Sequence, residues 1–215
     1  MRSGRQIAIR ATTLPAATTE RHPPASENLQ DIMRSAMTRF LYLAVASVFA
    51  MTFLAGNPAR AAGDKLVIEL KTGKVVIQLR PDLAPKHVER VKTLASQGFY
   101  NGIKWHRVID GFMAQTGDPT GTGMGGSKLP DLPAEFSREP YKRGTVGAAR
   151  TQDPNSANSQ FFICFTDDGC SGLTGQYTVW GQVISGMENV DKIKRGEPGS
   201  GTVADPDTMV KVYVE

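Results

Sequence analysis

The chain has 215 residues, of which 40% are apolar, and this length can bury the core of one domain with appendages rather than two full domains. Its net charge of +4 comes from residues 1–61, which hold seven Arg, no Lys and three acidic residues, whereas residues 62–215 hold 18 residues of each sign. The second part is therefore neutral and lacks the basic surface typical of nucleic-acid-binding domains, so we expect no nucleic-acid partner.

The N-terminal segment has the pattern of a secretory signal. An uncharged, mostly apolar run at residues 40–55 follows Arg34 and Arg39, and the sequence Ala-Arg-Ala at residues 59–61 is typical of a cleavage site. We expect cleavage near residue 61/62, a periplasmic or secreted protein, and no stable membrane association after cleavage. A retained anchor is the alternative, but the apolar run is shorter than the roughly 20 residues of a membrane-spanning helix.

The same pattern divides the chain into two parts. Residues 1–61 are expected to be an N-terminal extension plus signal peptide, and residues 62–215 the functional domain. The stretch before the apolar run is longer than an ordinary signal contains, so Met33 and Met37 are alternatives to Met1 as the start of the protein.

Two cysteines, Cys164 and Cys170, lie where export would allow a disulfide to persist. An extended chain of this length would separate their Cα atoms by roughly 20 Å, whereas a disulfide requires less than about 7 Å. Pairing requires that residues 167–169 turn the chain back. We expect instead a buried Cys164 in a strand and an unpaired Cys170 in a loop, and the pair is too sparse for a zinc site.

The first part of the domain predicts a β-hairpin followed by a helix. Two β-type runs, residues 66–70 and 75–79, flank a Thr-Gly turn signal. Pro85 then opens a helical pattern that ends at Gly98. One face of this helix is apolar, with Val88, Val91 and Ala95.

Five further short β-type runs follow, separated by clusters of Gly, Pro, Asp and Asn. They are residues 104–109, 144–149, 160–165, 177–183 and 209–214. A second short helix is predicted at residues 186–195, because its apolar residues recur at helical spacing. Many short strands with two helices indicate a mainly β or α+β fold with a closed or sandwiched antiparallel sheet.

The first segment whose side chains could carry chemistry is residues 105–119 (WHRVIDGFMAQTGDP). Strand alternation places Arg107 on the same face as Trp105, which is an unusual position for an arginine. From the pattern alone, Arg107 could equally be an ion-paired residue at the end of a strand. Phe112 and Met113 could equally be core residues.

Two further segments carry weaker signals. The glycine-rich residues 117–126 lack the GxxxxGK[ST] arrangement of a phosphate-binding loop, so we expect a wide surface loop. In residues 148–163 a polar, turn-rich stretch leads into an aromatic strand, where Gln160 and Phe162 point to one side.

Three blocks, in this order and at this spacing, resemble the signatures of the cyclophilin family: WHRVIDGFMAQTGDPTGTGMGG, SANSQFFICF and LTGQYTVWGQV. PDLAPKHVERV with GFYNG resembles the first helix of that family, and the similarity covers nearly all of residues 64–215. The resemblance implies a mainly β fold, a closed eight-stranded antiparallel β-barrel capped by two α-helices, with a proline-binding groove on its outer surface. It also implies a monomeric peptidyl-prolyl cis-trans isomerase that acts on proline-containing polypeptides without a metal or cofactor.

The resemblance assigns roles to ten residues. Arg107 corresponds to the catalytic arginine, and Gln115 to the residue that binds the substrate backbone and orients it. The substrate-binding positions are Phe112, Met113, Ala149, Arg150, Gln160, Phe162, Leu173 and Tyr177. Because one residue is inserted before Gln160, the alignment with the family at Ala149 allows two positions that differ by one residue.

The sequence departs from the family pattern in two places. Tyr177 stands where the usual histidine lies, a replacement familiar from bacterial members. Gly172 aligns where many members carry an aromatic ring, which weakens any inference about cyclosporin binding. His106 is retained, and we expect it to pack structurally.

Two other functions are compatible with parts of the sequence. A non-catalytic proline-peptide binding or holdase module would need the same groove. A hydrolase is disfavoured, because residues 62–215 contain only His87 and His106 and no serine in a GxSxG setting.

Overall fold

The computed structural model describes residues 64–215, so the apolar run at residues 40–55 and the expected cleavage site lie outside the described residues. No helix in residues 64–215 combines the length and hydropathy needed to cross a membrane.

Eight strands form one antiparallel sheet. They are β1 (Lys65–Leu70), β2 (Gly73–Leu79), β3 (Arg107–Ile109), β4 (Met113–Thr116), β5 (Thr145–Ala148), β6 (Phe161–Cys164), β7 (Val179–Ser185) and β8 (Lys211–Val214). Their order across the sheet is β3-β4-β6-β5-β7-β2-β1-β8. The predicted hairpin is confirmed as β1 and β2, which pair antiparallel from Lys65–Gln78 to Leu70–Gly73.

Each of the other five predicted β-type runs overlaps one strand, β3, β5, β6, β7 or β8, but β4 was not predicted. Three of its four residues, Met113, Ala114 and Thr116, are buried, so the strand shows no alternation of apolar and polar residues. A strand is recognised in a sequence by the alternation of apolar and polar residues, and a short strand buried on both faces lacks this alternation.

The sheet is open, which corrects the expectation of a closed barrel. Its edge strands are β3 and β8, and within residues 64–215 no ladder joins them. The free edge of β3 is instead covered by the irregular segment 196–207. Val108 N donates to Gly201 O at 2.7 Å, and Gly196 N donates to Val108 O at 2.9 Å. Gly and Pro residues prevent this segment from continuing as a strand. The free backbone groups at the edge of β3 are therefore hydrogen-bonded by a loop rather than by a ninth strand.

The first predicted helix is confirmed as α1 (Pro85–Ser96), with Pro85 in its first turn. Its inner face carries the buried residues Val88, Val91 and Ala95, as the pattern predicted. Gly98 follows the helix with φ of 68°, a left-handed conformation that glycine adopts without steric cost.

Two further helices are single turns, α2 (Asp167–Cys170) and α3 (Met187–Val190). The prediction of a second helix over residues 186–195 was therefore wrong in its extent. After Val190 the chain tightens, because Ile193 N bonds to Val190 O, and Arg195 Nη1 donates to the carbonyls of Asp191 and Ile193. These bonds take the place of the backbone hydrogen bonds that a continued α-helix would form.

The main core lies on one face of the sheet and centres on Phe161. Its ring makes edge contacts with Tyr100, Trp105 and Trp180, at centroid distances of 5.7, 6.1 and 5.4 Å. The next residue, Phe162, points to the opposite face. There a second apolar cluster contains Met113, Tyr141, Phe162, Cys164, Cys170 and Val179. Strand alternation thus separates the core from the surface that carries the predicted site.

Cys164 and Cys170 form a disulfide, which corrects the expectation that they are unpaired. Helix α2 turns the chain back, so the two Cα atoms lie only 6.2 Å apart. Thr166 caps this helix by accepting a hydrogen bond from Gly169 N at 3.1 Å. Gly169 itself packs against the carbonyl of Gly111, where a side chain would not fit.

Candidate active site

The outer face carries two adjoining cavities that together contain all ten predicted site residues. The smaller, of about 160 Å³, is lined by Arg107, Phe112, Met113, Gln115, Ala149, Arg150, Phe162, Leu173 and Tyr177. The larger, of about 310 Å³, contains Gln160 and shares Gln115, Ala149 and Arg150 with the smaller. Residues that are far apart in the sequence therefore meet at one surface.

The register of the sheet explains why the polar and aromatic residues converge. Arg107 on β3 pairs with Gln115 on β4, and Gln115 pairs with Phe162 on β6. The three side chains form a row across neighbouring strands, as cross-strand pairs do. The row ends at Gly147 on β5, which pairs with Phe162 and leaves room for its ring. Gly147 was not predicted, and it is required because a side chain there would collide with Phe162 and Tyr141.

A chain of hydrogen bonds holds Arg107 in place. Arg107 Nη1 donates to Gln115 Oε1 at 3.1 Å, and Gln115 Nε2 donates to Gln160 Oε1 at 2.9 Å. Gln160 Nε2 then donates to the carbonyls of Gly123 and Gly125, at 3.0 and 2.8 Å. Each amide is used at both ends, so its orientation is fixed.

The guanidinium of Arg107 keeps an unneutralised charge. Its Nε donates to the carbonyl of Ser200 at 3.3 Å, and the ion pairs formed by residues 64–215 do not include Arg107. Among residues 64–215, the alternative interpretation of an arginine paired with a carboxylate at the end of a strand is therefore not supported. A cation held only by neutral acceptors remains free to interact with a developing negative or lone-pair centre.

The floor and walls of the smaller cavity are apolar. Phe162 stacks on Tyr141 at a centroid distance of 5.8 Å and meets the edge of Tyr177 at 5.9 Å. Met113 and Phe162 are only 2% and 4% exposed, so they form a floor that packing holds rigid. Leu173 and Phe112 are partly buried against the same cluster and form the walls.

Arg150 braces one wall of this cavity. Its guanidinium lies 4.5 Å from the centre of the Tyr177 ring, and its Nε and Nη2 donate to Gln176 O at 3.2 and 3.0 Å. The resemblance predicted a substrate-binding role for Arg150. Its donors are used by backbone carbonyls, so it can also position Tyr177.

The glycine-rich residues 117–126 form the predicted surface loop, and Asp118 organises it. The Asp118 carboxylate accepts the backbone N–H groups of Thr120, Thr122, Gly123 and Gly125 at 2.8, 3.0, 2.6 and 3.1 Å. Burial alone would raise the pKa of Asp118, but these hydrogen bonds lower it to about 2. Asp118 was missed, although an Asp that opens a glycine-rich turn is a recognisable signal.

His106 and Gly172 lie beside the site without contributing groups to its hydrogen bonds. Burial lowers the pKa of His106, and neither ring nitrogen has a partner among the described residues. This agrees with the expected structural role. Gly172 is exposed next to Leu173, and a Cβ placed there would meet no atom within 4 Å.

Comparison with known proteins gives a consistent result. The family described as "Cyclophilin type peptidyl-prolyl cis-trans isomerase/CLD" matches residues 65–214. A probable peptidyl-prolyl cis-trans isomerase of Brucella suis is 51% identical over 195 residues, covering 85% of this chain and 96% of the relative. A peptidyl-prolyl cis-trans isomerase of Helicobacter pylori is 40% identical over 134 residues, covering 60% and 80%. A Cryptosporidium parvum cyclophilin-type isomerase, crystallised in the presence of the dipeptide Ala-Pro, superposes with a TM-score of 0.65 at 28% identity, covering 70% of this chain and 98% of that structure.

Proposed function

This chain belongs to the cyclophilin-type peptidyl-prolyl cis-trans isomerases, and from that premise we propose that it catalyses rotation about X-Pro bonds in exported proteins, with Arg107 as the catalytic residue. The observation that carries the proposal is the fixed Arg107 cation, which has no carboxylate partner among residues 64–215, beside a cavity of about 160 Å³ with an apolar floor. The enzyme class follows from the family. The exported substrates and the residue roles are our proposal.

The chemical problem is the conjugation of the prolyl nitrogen with the preceding carbonyl. This conjugation gives the bond a rotational barrier of about 18–20 kcal/mol. Uncatalysed exchange of an X-Pro bond therefore takes on the order of tens to hundreds of seconds. A catalyst must favour the twisted state, in which the conjugation is broken.

Arg107 can favour that state selectively. In the planar amide the nitrogen lone pair is delocalised and accepts hydrogen bonds poorly. In the twisted amide the lone pair is localised, so the guanidinium can donate to it. A bond that forms only in the transition state lowers the barrier without tightening the binding of the ground state.

The surrounding groups prepare this contact. Gln115 occupies one guanidinium N–H at 3.1 Å and so sets the direction of the others. Phe112, Met113, Phe162 and Leu173 would hold the proline ring and exclude water, which strengthens a charge-assisted hydrogen bond. Rotation of the amide requires no nucleophile, because no covalent bond is broken.

Two observations support action on exported proteins. The first is the signal-like pattern of residues 40–55 with its cleavage motif. The second is the Cys164–Cys170 disulfide, a feature that persists in oxidising compartments and is rare in the cytosol. Neither depends on the other.

The test of the proposal is an exchange-NMR or protease-coupled assay on an X-Pro peptide, combined with a titration of peptide binding. Accelerated cis-trans exchange with saturable binding is expected. Binding without accelerated exchange would contradict the proposal and assign the groove to a proline-peptide binding or holdase module.

A further inference from the structure

The smaller cavity would hold the proline ring, and we call it the proline cavity. One of its walls is formed by a segment that lies outside the sheet. This wall segment, residues 165–177, connects β6 to β7 and supplies Leu173 and Tyr177 to the cavity. The arginine and the two glutamines of the hydrogen-bond chain lie elsewhere, on or next to strands β3, β4 and β6. The cavity therefore combines a polar side fixed by the sheet with an apolar wall that needs its own attachment.

The wall segment has only one internal anchor in the apolar interior. Between the buried residues Phe165 and Thr178, Cys170 is the only buried residue. Residues 171–177 are all exposed or half-buried. Cys170 is joined by its disulfide to Cys164, which is the last residue of β6. The wall is thus tied covalently to the same strand that supplies Phe162.

The disulfide also lies directly behind the cavity. Both sulfur-bearing residues are 0% exposed and belong to the cluster that contains Met113 and Phe162, and Leu173 packs against this cluster. The remaining attachments of residues 166–177 are separate hydrogen bonds and two contacts of the Tyr177 ring, one with Arg150 and one with Phe162. Thr166 Oγ1 donates to Gly111 O at 2.6 Å, and Arg143 N donates to Asp167 Oδ1 at 2.7 Å. Tyr141 N donates to Thr174 Oγ1 at 3.1 Å, and Arg150 Nε and Nη2 donate to Gln176 O.

We propose that the Cys164–Cys170 disulfide positions the Leu173 wall of the proline cavity, so that the affinity of the protein for X-Pro peptides depends on its oxidation state. The inference rests on the proposed function of the cavity. Cys164 and Cys170 are positioning residues, since they act through Leu173 and touch no substrate. With the disulfide open, Leu173 is held only by weak contacts and no longer closes on the proline ring.

The redox step is an ordinary thiol-disulfide exchange. On oxidation the two thiols give two electrons and two protons to a disulfide-bearing oxidoreductase or small-molecule disulfide, which leaves as two thiols. On reduction a dithiol such as dithiothreitol supplies the same electrons and protons and leaves as its cyclic disulfide. Export would place the protein where the first direction prevails.

The experiment compares oxidised and dithiothreitol-reduced protein, with alkylation and mass measurement to count the free thiols. Binding of a fluorescent X-Pro peptide is titrated, and kcat and KM are measured on the same samples. Reduction is expected to raise Kd and KM about 3- to 10-fold, the effect of losing part of one apolar side-chain contact. The value of kcat should stay within about twofold, since the sheet still holds Arg107 and Gln115.

Two controls separate a local from a global effect. The double variant Cys164→Ala, Cys170→Ala should reproduce the weaker binding and show no response to dithiothreitol. Fluorescence of Trp105 and Trp180, which lie in the main core rather than in the cluster with the disulfide, should be unchanged on reduction.

Equal Kd values in both oxidation states would overturn the inference. Loss of the tryptophan signal on reduction would also overturn it, because the disulfide would then support the whole fold rather than one wall. The binding titration does not depend on turnover. Oxidised protein that binds peptide but does not accelerate exchange would therefore refute the proposed isomerase mechanism separately.

Discussion

The Nη1 atom of Arg107 lies 3.1 Å from Oε1 of Gln115, and this contact is the first link of a chain that ends in the glycine-rich loop. Gln115 donates to Gln160, and Gln160 donates to the carbonyls of Gly123 and Gly125. Because every amide is used as both donor and acceptor, no link can rotate independently. The direction of the cation therefore depends on a residue that it does not touch.

The first prediction concerns Gln160 as a positioning residue. Gln160→Leu keeps the size of the side chain but removes both ends of its link, so Gln115 loses its acceptor and Arg107 is less well held. The loss of one such hydrogen bond should lower kcat about 3- to 10-fold, while KM changes by less than about twofold. Steady-state kinetics on an X-Pro peptide give both values.

The matched control is Gln97→Leu, the same change at an exposed position after α1. It should leave both kinetic constants within about twofold of the original values. A rise in KM with unchanged kcat for Gln160→Leu would assign Gln160 to peptide binding instead.

The second prediction concerns Gly172. Gly172 is exposed, and a Cβ at this position meets no atom within 4 Å, so a side chain can begin here without a clash at its first carbon. Gly172→Trp should tighten inhibition by cyclosporin, because it restores an aromatic surface and an indole N–H donor beside Leu173. An inhibition titration measures the change. The control is Ser171→Trp, at a neighbouring position that is also exposed, and it should have a smaller effect. If cyclosporin inhibits the original protein and Gly172→Trp equally, the alignment at this position is refuted.

The third prediction concerns stability at mildly acidic pH. Burial lowers the pKa of both His87 and His106 from the ordinary value of 6.5, although the Glu135 carboxylate opposes the shift at His87. The unfolded chain therefore binds these protons at a higher pH than the folded protein. The stabilising contribution is complete above about pH 6.5 and is lost as the pH falls below it.

Thermal unfolding measured from about pH 7.5 to about pH 5.5 should show a falling melting temperature, in a range where buried Asp118 stays ionised. His106→Leu removes one of the two groups and should flatten the decline. A melting temperature that is constant or rises toward pH 5.5 would contradict the assignment.

The fourth prediction concerns export. The signal-like pattern predicts that the mature protein begins near Ala62 and is recovered outside the cytoplasmic membrane. N-terminal sequencing of protein from fractionated cells measures both. Protein that begins at Met1 and stays in the cytosolic fraction would exclude export. This result would not bear on the isomerase activity, which the peptide assay tests.

The parts of the structure that follow from local pattern could be predicted from the sequence. The hairpin and α1 depend on residue periodicity and turn signals, which are local properties. The predicted common face of Arg107 and Trp105 was wrong, because Trp105 precedes β3 and packs in the main core, whereas Arg107 lines the outer cavity. The resemblance to a family supplied the roles of Arg107, Phe112 and Met113, which periodicity alone left open between core, ion pair and site.

The parts that depend on contacts between distant segments could not be predicted. The disulfide requires Gly169 to pack against Gly111, a contact between residues far apart in the sequence. The open sheet results from segment 196–207, whose backbone takes the hydrogen bonds that a closing strand would have made. Gly147 is required by the ring of Phe162, which only the register of β5 and β6 brings beside it.

Catalysis by Arg107 is tested by measuring kcat/KM, peptide Kd and melting temperature on one sample of Arg107→Ala. The proposed bond forms only in the twisted state and is worth about 2–4 kcal/mol of the barrier, so kcat/KM should fall about 30- to 1000-fold while Kd changes little. Arg107→Lys should not restore activity, since an ammonium lacks the planar fork that can hold Gln115 and the substrate together. Near-normal turnover per folded molecule, with only the melting temperature reduced, would show a structural role and remove Arg107 from the mechanism.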